Sequence, residues 1–462
     1  MTGNRDMETD VLVIGGGGCG LVAAISAHDA GAEVAVLEKM DRVGGNTALS
    51  TGSVPGAGTR FQREAGIEDS PERMVDDLMR QSGPHDCLEL TRTLAEQSAD
   101  LVEWLADHVK ARIGLITEYC HVGHSVPRLH APRSRRGQDL LEDLMRAVEA
   151  RQIPVAVGNP VDRLITDDNG AAAGVVVRDR AGRETRIDAR KIILATNGFA
   201  ANRTMLRRYC PEMAEMEYFG ADGSTGEAIL WGEELGAALA NMGAYQGYAA
   251  VTYPQGALLS WTTMEKGGVL VNGCGRRFCN EIAGYSGLAR EVMVQGQFAY
   301  AVFDERVRAT TALEEEFNEL VNYGGIKNGD SPAEMAAVFR LDAEALTETL
   351  ERYNAAASGQ VEDEFGRRDF GLAPLEWPPL FLCRVRAGLF HTQGGLRVDA
   401  SARVLRPDGS VIPNLFAGGG TAAGISGREG GYGYASGNGL LTALGLGRIA
   451  GLTAAREIGG EA

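Results

Sequence analysis

The strongest constraint on this chain is a strand that runs straight into glycine. Asp10-Val-Leu-Val-Ile14 is a continuous apolar run rich in β-branched residues, as expected of a strand buried on both faces. Gly15-Gly-Gly-Gly-Cys-Gly20 follows, and Leu21 to Ala30 reads as a helix of small and apolar residues. Glu33-Val-Ala-Val-Leu37 predicts a second strand that ends at Glu38. Strand, glycine turn, helix, strand and acid form the opening of a dinucleotide-binding βαβ unit. Gly15 permits the tight turn, Gly17 lets backbone approach a pyrophosphate, and Gly20 allows close helix–strand packing. The helix N-terminus, through Gly18 and Cys19, then offers N–H donors and partial positive charge to phosphates. Glu38 stands where a carboxylate bonds ribose hydroxyls.

Composition narrows the remaining classes. The chain has 462 residues, 44% hydrophobic and 23% charged, enough for a large α/β domain with an insertion. Its net charge of −17 argues against nucleic acid or an anionic membrane as partner, because such binding depends on Lys and Arg neutralising phosphates. The seven cysteines are scattered, with no C-x-x-C pair. Zinc, thioredoxin-like and c-type haem chemistry lose support, and no metal site is expected. Residues Met1 to Asp10 carry Arg5, Asp6, Glu8 and Asp10, unlike a signal peptide. The longest uncharged stretch, Val11 to Ala27, holds five glycines and is no membrane span. A soluble, cytoplasmic protein with reduced thiols is expected.

Further along, Leu94, Ser98, Leu101, Val102 and Leu105 recur at helical spacing, and Gln138 to Arg151 predicts another helix. Val155 to Val157, Val161 to Thr166, Gly174 to Arg178 and Lys191 to Ala195 read as strands. Residues 305–358 are helix-rich, charged and poor in glycine, whereas glycine returns from Gly388. This predicts a discontinuous nucleotide-binding domain, residues 1–255 and 382–462, with an inserted α+β cap at 256–381. The fold class is α/β: a Rossmann-like domain plus a cap that holds the substrate.

The loop after Glu38 separates two cofactor classes. Lys39, then Gly44-Gly45-Asn46-Thr47 and Ser50-Thr51-Gly52-Ser53, form a Gly/Ser/Thr-rich stretch. A nicotinamide domain usually proceeds to another βαβ unit; here N–H and hydroxyl groups are available to line an extended cofactor such as FAD.

Taken together, several segments resemble the fumarate reductase/succinate dehydrogenase flavoprotein superfamily, and more narrowly its branch of 3-ketosteroid dehydrogenases and related FAD-dependent desaturases. They are Val13 to Gly20, Gly44 to Thr47, Ala195-Thr196-Asn197-Gly198-Phe199, Gly275 to Glu281, His391-Thr-Gln-Gly-Gly395, Leu415 to Gly420 and Gly433 to Leu441. The resemblance implies that Val161, Ala195, Thr196, Gly198, Gly419 and Gly420 join the glycine loop in holding FAD. It also implies that Asn438, Gly439, Leu440 and Leu441 open a helix facing the flavin pyrimidine, where N–H groups would stabilise negative charge. Where succinate dehydrogenases carry the histidine that bonds FAD, this chain has Asn46, so FAD is expected to be non-covalent.

The departures bear on the reaction. Fumarate reductases follow the R-F-x-N-E run with a proton-donating arginine, and ungapped alignment puts Tyr285 there. Their carboxylate-binding arginine near the C-terminus aligns with Tyr434. Two phenols suit α,β-desaturation: Tyr434, assisted by Ser436, polarises a carbonyl, and Tyr285 takes the α-proton. His391 matches a family histidine near the substrate carbonyl or carboxylate, with Gly395 beside it. Arg428 remains a candidate for a substrate carboxylate. His124-Ser-Val-Pro-Arg128-Leu-His130 clusters cations, and both a site-lining role and an ordinary loop stay open. The expected reaction is dehydrogenation beside the carbonyl of a cyclic ketone or keto acid, with an electron acceptor of unknown identity. The alternatives are a fumarate reductase-like enoate reductase and a non-catalytic FAD-binding subunit. Whether the chain forms a homo-oligomer stays open.

Overall fold

The computed structural model describes residues 7–118, 120–179, 181–312 and 314–460. Residues 1–6, which carry part of the expectation about a leader, lie outside the described residues. The chain divides into two compact units: residues 1–214, 220–245 and 391–462, and residues 215–219 and 246–390.

The first unit is built on a sheet that opens with strand β1 (Met7–Ile14), passes through helix α1 (Gly18–Asp29) and returns as strand β2 (Val34–Leu37). Strand Val411–Ala417, strand Glu184–Leu194, β1, β2 and strand Val155–Ala156 lie side by side in that order, all parallel. β1 is buried from Val11 to Ile14, as a parallel strand covered on both faces must be. The register brings the strand ends level: Ile14 pairs with Leu37 and with Leu194, and Leu194 pairs with Ala417. Gly15, Glu38, Ala195 and Gly418 therefore emerge along one carboxyl edge, where open α/β sheets bind ligands. The antiparallel strands Val161–Thr166 and Ala172–Arg178 extend the sheet beside Glu184–Leu194.

α1 is apolar nearly all round, with Gly18 to Ala27 buried. Its partner is the C-terminal helix Asn438–Gly460. The two backbones touch: a Cβ on Gly447 would stand 2.4 Å from Cys19 O, and one on Gly451 2.3 Å from Ala23 O. This packing carries the helix head, Asn438, to its place. Helix Leu88–Asp107 buries Leu94, Ser98, Leu101, Val102 and Leu105 on one face.

The second unit contains strands Val269–Val271, Ala299–Asp304 and Leu380–Thr392 in antiparallel array, with Ile326–Gly329 also on Leu380–Thr392. Helices Glu305–Thr311, Glu315–Asn322, Pro332–Phe339 and Ala343–Ala357 account for its helical share. Its interior holds a charged network. Arg277 donates to both oxygens of Glu281 (3.1 and 2.8 Å) and to Asp363 (2.5 Å), while Arg367 donates to Glu281 (3.1 Å). The Arg277 guanidinium lies 4.9 Å from the Tyr353 ring centroid. The Gly275–Glu281 segment is thus locked as a structural corner. Among the described residues, no helix is long and apolar enough to cross a membrane.

Candidate cofactor and active site

The glycine turn has the shape a pyrophosphate needs. Gly15 has φ of +114°, and a Cβ there would lie 2.2 Å from Ala195 O; at Gly20 it would lie 1.9 Å from Gly15 O. These two glycines are required by backbone packing. Gly17 differs, since its nearest neighbour to a Cβ is Gly44 O at 3.7 Å, and it caps α1 with no side-chain hydrogen bond. The space before Gly17 is open to a ligand. Gly18 N–H donates to Thr47 Oγ1 at 3.1 Å, which ties the turn to helix α2 (Gly45–Leu49). Glu38 accepts from Gly16 N–H at 2.7 Å and Met40 N–H at 2.8 Å. A carboxylate has capacity beyond two such bonds, so ribose hydroxyls can still be taken.

The following loop is ordered by its own hydroxyls. Ser50 Oγ donates to Thr47 O at 2.8 Å, Gly52 N–H donates to Ser50 Oγ at 3.1 Å, and Thr51 and Ser53 hydroxyls lie 3.0 Å apart. Asn46 Oδ1 accepts from Ala221 N–H at 2.7 Å. Lys39 Nζ is bound by Thr225 (2.6 Å) and Glu227 (2.5 Å). Cys19 is buried and its thiol is pushed up to about 12 by burial, so it stays protonated. Gly419 lies against Cys19, and Gly420 has no room for a Cβ beside Asn197 Oδ1 at 2.4 Å. Gly198 is equally tight against Thr392, and Thr196 and Thr421 hydroxyls stand 3.3 Å apart. Val161 opens its strand half-buried, just after Asn159, whose N–H donates to Glu38 O at 2.9 Å.

A hydrogen-bonded relay runs from this edge to the head of the C-terminal helix. Asn197 donates from Nδ2 to Ser224 Oγ at 2.7 Å, so its Oδ1 is left as acceptor for His391 Nε2 at 2.8 Å. Gln393 Nε2 donates to His391 Nδ1 at 2.9 Å. Gln393 Oε1 accepts from Ser426 Oγ at 3.1 Å, and Asn438 Nδ2 donates to Ser426 Oγ at 3.2 Å. Only one tautomer of His391 satisfies this chain: proton on Nε2, lone pair on Nδ1. Burial lowers its pKa to about 4. A neutral ring with both nitrogens engaged holds its neighbours in place. The relay ends at Asn438 Oδ1, which is buried and has no hydrogen-bond partner. An orphaned acceptor at a helix head beside a glycine cradle fits a cofactor that brings its own N–H.

Tyr434 precedes the helix head. It is 6% exposed, and its hydroxyl oxygen accepts from Gly439 N–H at 3.4 Å. Burial pushes the phenol up to about 12. Ser436 is buried as well, its backbone held by Val122 O and His124 Nε2. Leu440 and Leu441 are buried in the helix's first turns. Arg428 is tied to Asp86 at 2.7 Å, with side chains 61% and 45% exposed. Gly395 pairs with Ala240 across two short strands, and a Cβ there would meet Thr421 O at 2.4 Å. It is a packing position.

In the second unit, Tyr285 sits within aromatic neighbours. Its ring centroid lies 4.9 Å from that of Tyr248 and 6.2 Å from that of Trp261, and Trp261 Nε1 is buried without a partner. Tyr285 O accepts from Ala249 N–H at 3.0 Å.

A family model described as an FAD binding domain matches residues 10–440. The chain belongs to that family, within the fumarate reductase/succinate dehydrogenase flavoprotein superfamily, and is an FAD-dependent oxidoreductase. It is similar to an NADH:fumarate oxidoreductase of Klebsiella pneumoniae, 32% identical over 98% of this chain and 48% of the relative. This chain therefore spans about half the length of that protein. A probable fumarate reductase of Shewanella frigidimarina is 30% identical over 97% of this chain and 75% of its own. Among solved structures, a 3-ketosteroid-Δ4-(5α)-dehydrogenase from Rhodococcus jostii RHA1 is similar at 28% identity and a TM-score of 0.78, covering 98% of both chains.

Proposed function

We propose that the protein introduces a C=C bond α,β to the carbonyl of a cyclic ketone or keto acid, on a ring of the 3-ketosteroid or oxocyclohexanecarboxylate kind. The observation that carries this reading is Tyr434: a buried phenol, protonated at all physiological pH, at the head of a helix where the superfamily's fumarate reductases place an arginine. A neutral donor suits a ketone oxygen; a carboxylate would call for a cation. With its oxygen accepting Gly439 N–H, the hydroxyl is polarised as a donor, and it offers that proton to the carbonyl as negative charge develops. Ser436 assists from the same turn. Gly15–Gly20, Glu38 and Asn46–Gly52 would hold FAD without a covalent bond, and bound FAD would supply the hydride acceptor. Tyr285 takes the α-proton, with a relay to carry it onward. The ketone loses a hydride and a proton, and an external acceptor later removes the two electrons. Arg428 supplies long-range positive charge for a keto acid only if the substrate displaces Asp86.

Reduction of an enoate is the second reading, favoured by relatives whose names are fumarate reductases. A panel of saturated cyclic ketones and of enoates separates the two. Ketones should bleach the bound flavin anaerobically. Enoates that oxidise the pre-reduced protein much faster than any ketone reduces it would reverse the assignment.

A further inference from the structure

The turn that carries Tyr434 and Ser436 is gripped by a distant segment of the same unit. His124 Nε2 donates to Ser436 O at 2.8 Å, and Ser436 N–H donates to Val122 O at 2.9 Å. Both backbone poles of Ser436 are therefore held by one turn. Gly123, at φ +83°, closes the contact, since a Cβ there would stand 2.4 Å from Ala435 Cβ. The far side of His124 fixes its tautomer. Nδ1 lies 3.0 Å from Arg128 Nη1, and a guanidinium only donates, so Nδ1 holds the lone pair and Nε2 the proton. Arg128 cannot swing away. It makes two 2.7 Å bonds to Asp69 and one of 3.0 Å to Asp77, and all three side chains are at most 1% exposed. Asp77 also takes the N–H and hydroxyl of Ser125. Burial and the Arg128 charge keep the His124 pKa at about 4, so the ring stays neutral in use.

A buried ion cluster is expensive to desolvate and is weak evidence for stability alone; what this one delivers is one rigid arrangement ending on Ser436 O. We propose that His124, oriented by Arg128, is a positioning residue that holds the Tyr434–Asn438 turn against the flavin and thereby sets the flavin's reduction potential. The effect on rate rests on the ketone reading above; the effect on potential does not.

The test compares His124→Gln, whose amide N–H reaches as far as Nε2, with His124→Asn, which falls short of Ser436 O. Both are measured as FAD-loaded protein. The Asn variant should bind FAD and show a more negative midpoint potential by dye equilibration, with an altered visible flavin band. Its reduction by a ketone that bleaches the wild type should slow about threefold to tenfold, the worth of one hydrogen bond. The Gln variant should restore most of both. Gly123→Ala, which presses on Ala435 across the same contact, should also move the potential and serves if the Asn variant does not fold. Wild-type potential in the Asn and Ala variants, or equal shifts in Gln and Asn, would overturn the proposal. A shifted potential in an enzyme that no ketone reduces would leave the clamp standing and remove the ketone reading instead.

Discussion

Replacing His391 with leucine separates a proton carrier from a strut. The imidazole satisfies two side chains: it donates to Asn197 Oδ1 at 2.8 Å and accepts from Gln393 Nε2 at 2.9 Å. Leucine fills similar space and bonds neither. An orphaned buried polar group costs about 1–3 kcal/mol. Gln393 is 2% exposed and should carry the full cost, whereas Asn197 is half-buried and should sit at the low end. Together the loss should be about 2–4 kcal/mol, read as a lower urea midpoint of the FAD-loaded protein by far-UV circular dichroism and flavin fluorescence. The pH dependence gives a second signature. With the folded pKa at about 4 and the unfolded value near 6.5, the unfolded chain binds one more proton between those limits. Stability is therefore full above pH 6.5 and falls as pH drops toward 4, by at most about 1.4 kcal/mol per pH unit for this group. The leucine variant should lose that component. Flavin reduction in the wild type should show no limb from His391 between pH 5 and 8. A leucine variant as stable as the wild type, in which an inflection near pH 6.5 in the rate profile has vanished, would refute the argument and restore His391 as an acid–base group.

On the proposed mechanism, Tyr434→Phe should slow anaerobic flavin reduction by about 10²–10³-fold and Tyr285→Phe by about 10²–10⁴-fold, with FAD still bound; if both hydroxyls serve one transition state, the double variant should fall short of the product. Single-turnover rates within threefold of wild type in both variants would remove the phenols from the chemistry. Glu265 predicts the opposite pH trend to His391: desolvation, with Glu314 and Asp369 nearby and only Lys266 opposing, raises its carboxyl to about 7. The folded state then keeps a proton that the unfolded chain has released above about 4.5, so stability falls as pH rises from 4.5 through 7, and Glu265→Gln should flatten that slope in pH-resolved urea titrations. Arg277→Met should leave Asp363 without its cation and Glu281 with Arg367 alone, at side chains 2% and 0% exposed, and cost about 3–5 kcal/mol; a loss of unfolding free energy below about 1 kcal/mol would show that Arg277 is not needed to balance these carboxylates.

What the sequence made legible is what local physics decides. Asp10 to Ile14 could only be a doubly covered strand, and the turn after it needed glycine at two positions because backbone atoms of Ala195 and Gly15 occupy the space of a Cβ. Strand Val161–Thr166 and the five-residue stripe of Leu88–Asp107 followed from periodicity in the same way. Strand Glu184–Leu194 was legible only in its second half, because its exposed first residues alternate charge that serves solvent and strand equally. The site residues divide along the same line. Glycines and the acid at residue 38 announce themselves by spacing, whereas the relay from Ser224 to Asn438 joins side chains as far apart as residues 197 and 391, and no local pattern marks Gln393 or Ser426. The loop from His124 to His130 shows why charge alone misleads. Its cations look like a site lining, yet Arg128 faces two carboxylates inward and His124 gives its one proton to a main-chain oxygen. A histidine on that loop was legible as a residue but not as a direction. Direction is set by which partner can only donate, and here that partner is an arginine held by acids brought from residues 69 and 77, so the hold on Ser436 O beside Tyr434 rests on contacts between segments far apart in the chain.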